Sequence, residues 1–370
     1  MFLSALRKGG VVLGAILLVG VAGAQNTLRI GSWNISNYTG ANRAAAIQTA
    51  VYGSFQGRSF APDVLFAQEI ESESAAFALR GVLNSAAGSP GDWQVSFGSL
   101  TGSNATSDTA MFYRTSRVNG VSTTRVAAAA GTSGQPRDSW RWDFNIVGNA
   151  LNEAFSVYNL HMKSGNGSDD QARRLAEAEN VRANANTLAS NRHVMVVGDL
   201  NMQSSSQAAY QELVGSQTNN RGRVFDPINT PGSWNNNNNF RFVHTQDPSG
   251  AGGMDDRLDF MLMGANLGDG VGLDYVGAFG TAYSTTTWND LNHSYRAWGN
   301  DGTSFDGALT VNGNTMVGST IAQALIDAAG PNGGHLPVFA DFRYTPVPEP
   351  ATMAVLGLGA AALAARRRRK

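Results

Sequence analysis

The sequence predicts an α/β domain in which two β-sheets pack face to face and helices cover the outside. Three observations carry this. Apolar runs of strand length are interleaved with amphipathic helical patterns, the mixture that builds layered sheets and helices around a core. No internal repeat divides the chain. Roughly 320 residues remain once two atypical tails are set aside, enough for one large domain with a sizeable core.

Taken in order, strands are expected at residues 28–34, 63–69, 93–97, 110–114, 140–146, 154–161, 193–198, 258–262 and 337–342, each rich in apolar, β-branched or aromatic side chains. Helices are expected at 42–52, 74–85 and 169–188. In the last, Leu175, Ala178, Val181, Ala185 and Leu188 recur at three- and four-residue intervals, and Ser168 with Gln171 has the spacing of a capping box. Loops rich in Gly, Ser and Asn separate these elements. The asparagine run at 234–239 reads as a solvated loop. The polar and aromatic stretch 288–305 is too long for a tight turn and reads as a lid or rim.

The tails are addresses. Residues 1–24 combine Arg7 and Lys8, an apolar run at 11–21 and the small residues Ala22-Gly23-Ala24, the pattern of a secretory signal peptide; an N-terminal anchor is the alternative. At the other end stand Val347-Pro348-Glu349-Pro350, an apolar segment at 351–365 and a basic end at 366–370. This tail resembles a PEP-CTERM sorting signal, which implies export, transient membrane association and handling by a sorting enzyme; a plain C-terminal anchor is the alternative. Either way residues 25–346 leave the cytoplasm, as a monomer by expectation.

Composition narrows the chemistry. The absence of cysteine excludes disulfides and thiolate metal sites. The tails hold seven of the 27 Lys and Arg and one of the 28 Asp and Glu, so residues 25–346 carry 20 basic against 27 acidic side chains, a net charge of −7. Tight non-specific attraction to a polyanion is disfavoured, although a bound divalent cation inverts the field locally.

Six strands end in polar groups. The first is LRIGSWN, ending at Asn34; the second, DVLFAQE, ends at Glu69. FSVYNLHMKS carries His161 and Lys163. HVMVVGDLN carries Asp199 and Asn201, placed at i and i+2 and therefore on one side if the strand continues. DRLDFML carries Asp259, and GHLPVFADF carries His335. Singly, each has an ordinary structural reading: a turn asparagine, a helix-capping glutamate, a strand histidine, a surface Asp259–Arg257 ion pair worth little, a histidine preceding an edge strand. Jointly they place polar groups at the ends of apolar strands, where α/β sheets gather ligands.

In this order the six motifs resemble the endonuclease/exonuclease/phosphatase superfamily, the deoxyribonuclease-I-like phosphohydrolases. The resemblance implies a single-domain, four-layer α/β sandwich and hydrolysis of phosphodiesters with Mg²⁺ or Mn²⁺. Nucleic acid, extracellular DNA or RNA, is the leading substrate class; phospholipid or small phosphate esters, or a catalytically impaired binding protein, are the alternatives. Glu69 is the lead metal ligand, with Asn34 beside it. His335, paired with Asp259, is the candidate general base. His161 contacts the phosphate or the leaving group, and Asp199 and Asn201 orient water and stabilise the transition state. Arg137 matches a position that meets the substrate backbone, and Lys163 is a candidate phosphate contact. One departure is evident: Gly334 stands where the family pattern has an aspartate before the last histidine. Asp255 or Asp256 is a candidate replacement. The reading requires both histidines to reach one phosphate, which a separation above about 15 Å forbids.

Overall fold

The computed structural model describes residues 26–40, 42–98, 108–127, 138–151, 153–330 and 332–347. The expected signal peptide, the sorting tail beyond Val347 and Arg137 lie outside the described residues. The chain opens with β1 (Asn26–Tyr38), α1 (Ala44–Tyr52), β2 (Val64–Ile70), α2 (Glu73–Ser85), β3 (Trp93–Gly98) and β4 (Asp108–Arg114). It continues through β5 (Val118–Ala127), β6 (Ser139–Ile146), β7 (Ala154–His161), α3 (Ser168–Ala185), β8 (Arg192–Asp199), α4 (Ala208–Val214) and β9 (Val224–Phe225). The last elements are β10 (Asp259–Gly264), β11 (Asp274–Tyr275), β12 (Arg296–Ala297), α5 (Gly318–Ala329) and β13 (Val338–Tyr344).

The strands form two mixed sheets. One runs β11-β13-β1-β2-β4-β3, with β12 also on β13; the other runs β5-β6-β7-β8-β10-β9. Strand periodicity builds the layers. Leu28 and Ile30 of β1, Val64 and Phe66 of β2, Phe155 and Val157 of β7, Met195 and Val197 of β8, and Met261 and Met263 of β10 share the core between the sheets. Their alternate neighbours face outward. Trp33, Leu65 and Ala67 pack beneath α1, α2 and α5; Tyr158, Leu160, Val196 and Phe260 pack beneath α3 and α4. The result is the expected four-layer sandwich.

Several local expectations change. The helix α3 begins at Ser168, and its N-cap is Gly167, whose N–H is accepted by the Asp170 carboxylate; the cap sits one residue earlier than Ser168. The stretch 288–305 is packed into the fold and not a free lid: β12 pairs with β13, Tyr295 and Trp298 are buried, and the Trp298 indole donates to Ala50 O. The β13 strand is interior, between β1 and β11/β12. Among the described residues no helix is long and apolar enough to cross a membrane.

Arg257 does not pair with Asp259. It makes a bidentate bond to Asp226, at 2.7 and 3.0 Å, and both side chains are buried. The pair ties the loop after β9 to the start of β10. Removing one partner strands a charge in the interior, at about 3–5 kcal/mol. Asp226→Ala is therefore expected to lower unfolding stability by about that amount in a denaturant titration; a loss within about 0.5 kcal/mol, the usual range for surface changes, contradicts this packing.

Candidate active site

The inward rows that are apolar in mid-sandwich turn polar at one end. Asn34 continues the row of Leu28 and Ile30. His161 continues that of Phe155 and Val157, Asp199 that of Met195 and Val197, and Asp259 that of Met261 and Met263. Register places the last three side by side: His161 pairs with Asp199 across β7 and β8, and Asp199 with Asp259 across β8 and β10.

Glu69 needs a different device, because strict alternation after the inward Gln68 would send it outward. Both ladders of β2 slip register here, and Glu69 adopts φ +59°. Such a conformation is strained for a residue with a Cβ and persists where surrounding bonds over-determine it. The Asn34 amide donates to Glu69 Oε1 at 2.9 Å and the Asn37 N–H to Oε2 at 2.8 Å.

Asp199 is the hub. Its Oδ2 accepts from Asn34 Nδ2 at 3.0 Å and lies 3.5 Å from His161 Nε2 and 3.6 Å from His335 Nε2. Both histidines thus reach one oxygen atom, well inside the separation the sequence reading demanded. Asp199 Oδ1 accepts from the Asn201 backbone. Strand β8 stops at Asp199, and Asn201 reaches the site through φ +50° instead of by continued alternation; its amide then donates to Met162 O, joining the exits of β7 and β8. Gly198 makes the approach possible. At φ +126°, a Cβ there would lie 2.0 Å from Leu160 O.

His335 Nδ1 meets Asp259 Oδ2 at 2.8 Å, leaving Nε2 toward the cleft. Thr245, which the sequence reading missed, donates to the same Asp259 oxygen at 2.6 Å, and Trp33 Nε1 holds His335 O at 2.9 Å. Burial disfavours the imidazolium, but Asp259 and Asp199 outweigh it and the His335 pKa is raised. Burial raises the Asp199 carboxyl, and Asp259 and Glu69 push the same way against His335 and Asn34.

Glu69, His161 and Asp199 offer ligand atoms that all lie within 4.8 Å of one another, the group of metal-binding type found among the described residues. Two carboxylates and an imidazole crowded into a buried cleft fit a hard divalent cation, which removes the repulsion that burial imposes. Asn34 lies between the two carboxylates, presenting Nδ2 to both while Oδ1 accepts from Ser36 N. Asp255 and Asp256 stand outside this group; Asp256 is held by Asn235 at 2.8 Å. Gly334 has φ +68°, and a Cβ there would lie 2.6 Å from Ala329 Cβ and carbonyl O. The missing carboxylate is thus excluded by the backbone path. Lys163 pairs with Asp170 at 3.1 Å, on α3. Arg137 lies outside the described residues.

Behind the site, Gln68 Nε2 donates to Asn159 Oδ1 at 2.6 Å, and Asn159 Nδ2 donates to Ala67 O and Ala110 O at 3.0 and 3.2 Å. These buried bonds join the sheet carrying Asn34 and Glu69 to the one carrying His161 and Asp199. Strand parity flags both residues: Asn159 lies two before His161, and Gln68 abuts Glu69. Asn159→Leu removes the shortest bond of the Gln68 amide, leaving Ser32 Oγ at 3.1 Å and Phe66 O at 3.4 Å, and frees two backbone carbonyls; it is expected to cost about 1–3 kcal/mol. The Gln68→Leu/Asn159→Leu double variant should be less destabilised than the single effects sum to, by about 0.5–3 kcal/mol in a denaturation cycle. Strict additivity would show that the pair does not couple the sheets.

The PEP-CTERM protein-sorting motif matches residues 346–369, which marks an exported protein sorted to the bacterial cell envelope. No curated protein matches the chain. Among solved structures, the human Nocturnin catalytic domain with bound sulfate anion is 13% identical, with 86% of this chain and 95% of that one covered and a TM-score of 0.50. A protein of Enterococcus faecalis V583 described as functionally unknown is 12% identical, covers 86% and 100%, and also has a TM-score of 0.50. These likenesses concern the fold. The Endonuclease/Exonuclease/phosphatase family pattern matches residues 31–289, most of the chain, and the protein belongs to that family.

Proposed function

We propose that this protein is an exported, Mg²⁺- or Mn²⁺-dependent phosphodiester hydrolase whose reaction centre is the Glu69, His161, Asp199, Asp259 and His335 cluster. The observation that carries the reading is the convergence of both imidazoles on Asp199 Oδ2, at 3.5 and 3.6 Å. Glu69 and Asp199 are the carboxylates that hold the cation, and Asn34 keeps them adjacent. Bound there, the cation neutralises the carboxylates and draws charge from a phosphate oxygen.

The chain's own groups supply the rest. Asp259 fixes the His335 tautomer, so that Nε2 faces the cleft as the base for the attacking water. Against burial, Asp259 first and then Asp199 raise the His335 pKa; a cation held by Asp199 would offset part of that and favour the neutral imidazole a base requires. His161 contacts a phosphate oxygen or the leaving group, and Asn201 steadies Asp199 through its backbone N–H and the exit of β7 through its amide bond to Met162 O.

Extracellular DNA or RNA is the substrate class expected from the sequence, but one observation favours a small phosphate ester. Many of the arginines are engaged within the fold. Arg29, Arg114, Arg117, Arg125, Arg141, Arg192, Arg257 and Arg343 pair with aspartates. Arg174 and Arg182 are buried on backbone carbonyls. Lys163 is the sole lysine between the tails. Gripping a polyanion takes a row of available cations, and among the described residues the pairs with aspartate leave fewer of them free.

The test is to incubate the purified full chain with bis(p-nitrophenyl) phosphate, DNA and RNA, each with Mg²⁺ or Mn²⁺ and with chelator. The diester should be hydrolysed, chelator should abolish turnover, and His335→Ala should lower kcat by about 10²–10⁴-fold while the circular dichroism is retained. Equal rates for wild type and His335→Ala would remove the basis of the proposal.

A further inference from the structure

Beside the reaction centre lies a cleft of about 370 Å³, within the size range of small-molecule sites. Its walls are the exits of the two strands that carry the catalytic groups. Asn166 lies five residues beyond His161, and Gln203 two beyond Asn201. A third wall carries Ser233 and Asn235, and Asn235 donates to Asp256 at 2.8 Å. The lining is chemically uniform. Among the described residues the lining combines the carboxamides of Asn166, Gln171, Gln203, Gln207 and Asn235 with serine hydroxyls, without a charged or aromatic side chain.

The cleft is shaped by bonds behind its lining and between lining residues. Arg174, fully buried, donates to Lys163 O and Gly165 O at 2.6 and 2.7 Å and to Gln207 Oε1 at 3.1 Å. Gln207 in turn donates to Asn166 Oδ1 at 3.1 Å. On the far side Trp234 N donates to Gln203 O at 2.8 Å, and Gly232 N to Ser205 Oγ at 2.9 Å. Ser204 and Ser233 form a β-bridge.

Resting on the phosphodiesterase reading, we infer that this cleft binds the alcohol part of the substrate, and that this part is a neutral, polyhydroxylated group of sugar type. The uncharged lining gives no counter-ion to a second phosphate, which disfavours a nucleic-acid backbone. The lack of aromatic faces removes a platform for stacking a base. Carboxamides both donate and accept, as hydroxyl groups require. A site built to bond hydroxyls discriminates strongly against an analogue without them, because its own polar groups are then left unpaired.

The test uses two p-nitrophenyl phosphodiesters with the same leaving group, one whose second alcohol is methanol and one whose second alcohol is glucose, linked through O6. The full chain should turn over the glucose ester with kcat/KM at least about tenfold above the methyl ester. Gln203→Ala combined with Ser233→Ala should bring that ratio close to one and leave the methyl ester rate unchanged. In parallel, calorimetry should show glucose 6-phosphate binding wild type more tightly than methyl phosphate, a difference the double variant loses. If neither diester is hydrolysed, the hydrolase reading falls, and the calorimetry still decides the cleft. Equal affinities for the two phosphates in wild type, or a ratio unaffected by the double variant, would overturn the inference.

Discussion

The carboxylate of Asp199 is the constraint on which the rest of the site depends. Buried at the end of β8, it takes the Asn34 amide from the opposing sheet, the Asn201 backbone from its own loop, and the approach of both imidazoles. A buried charge is costly unless it is bonded and neutralised. Here the approaches to it come from four separate segments of the chain. Burial is the first cause that raises the pKa of its carboxyl.

Two structural facts deliver Asp199 to its partners. The first is pleat alternation. A row of side chains that buries methionines and valines in the middle of the sandwich needs only a change of residue type at its last position to place a functional group between the sheets. The second is the set of departures from regularity at Glu69, Gly198 and Asn201, where positive φ turns the chain. Sheet regularity provides the floor, and local irregularity aims the groups that alternation would misdirect. The Gln68–Asn159 bond fixes the separation of the two halves behind them.

Much of this was legible in the sequence. The strand-like runs correspond to observed strands, and the residue set Asn34, Glu69, His161, Asp199, Asn201, Asp259 and His335 converges because each lies in or beside one end of such a run, Asp259 opening β10 and His335 preceding β13. What stayed hidden was of two kinds. Pairing across distant segments cannot be read from spacing: Arg257 takes Asp226 instead of the nearby Asp259, and Thr245 completes the Asp259–His335 pair from a loop without a motif. Backbone path was the other. Gly334 looked like a lost ligand, whereas its φ and the closeness of Ala329 leave no room for a side chain. The helix α5, with Ile321, Ala322, Leu325 and Ala328 buried at helical spacing, was visible in the pattern and was overlooked.

Export and charge complete the account. The sorting motif places the protein at the cell envelope, where no disulfide supports it and where stability rests on packing and on buried pairs. Under the proposed function the acidic domain meets phosphate at one point, the Asp199 cluster, while many of its arginines pair with its own aspartates.

The most direct test of that point is the anomalous scattering of Mn²⁺ in crystals of the protein. The account predicts a peak within coordination distance, about 2.2 Å, of carboxylate oxygens of Glu69 and Asp199, lost in Glu69→Gln. A peak that sits instead at Asp255 and Asp256, or no peak between Glu69 and Asp199 at saturating Mn²⁺, would contradict it.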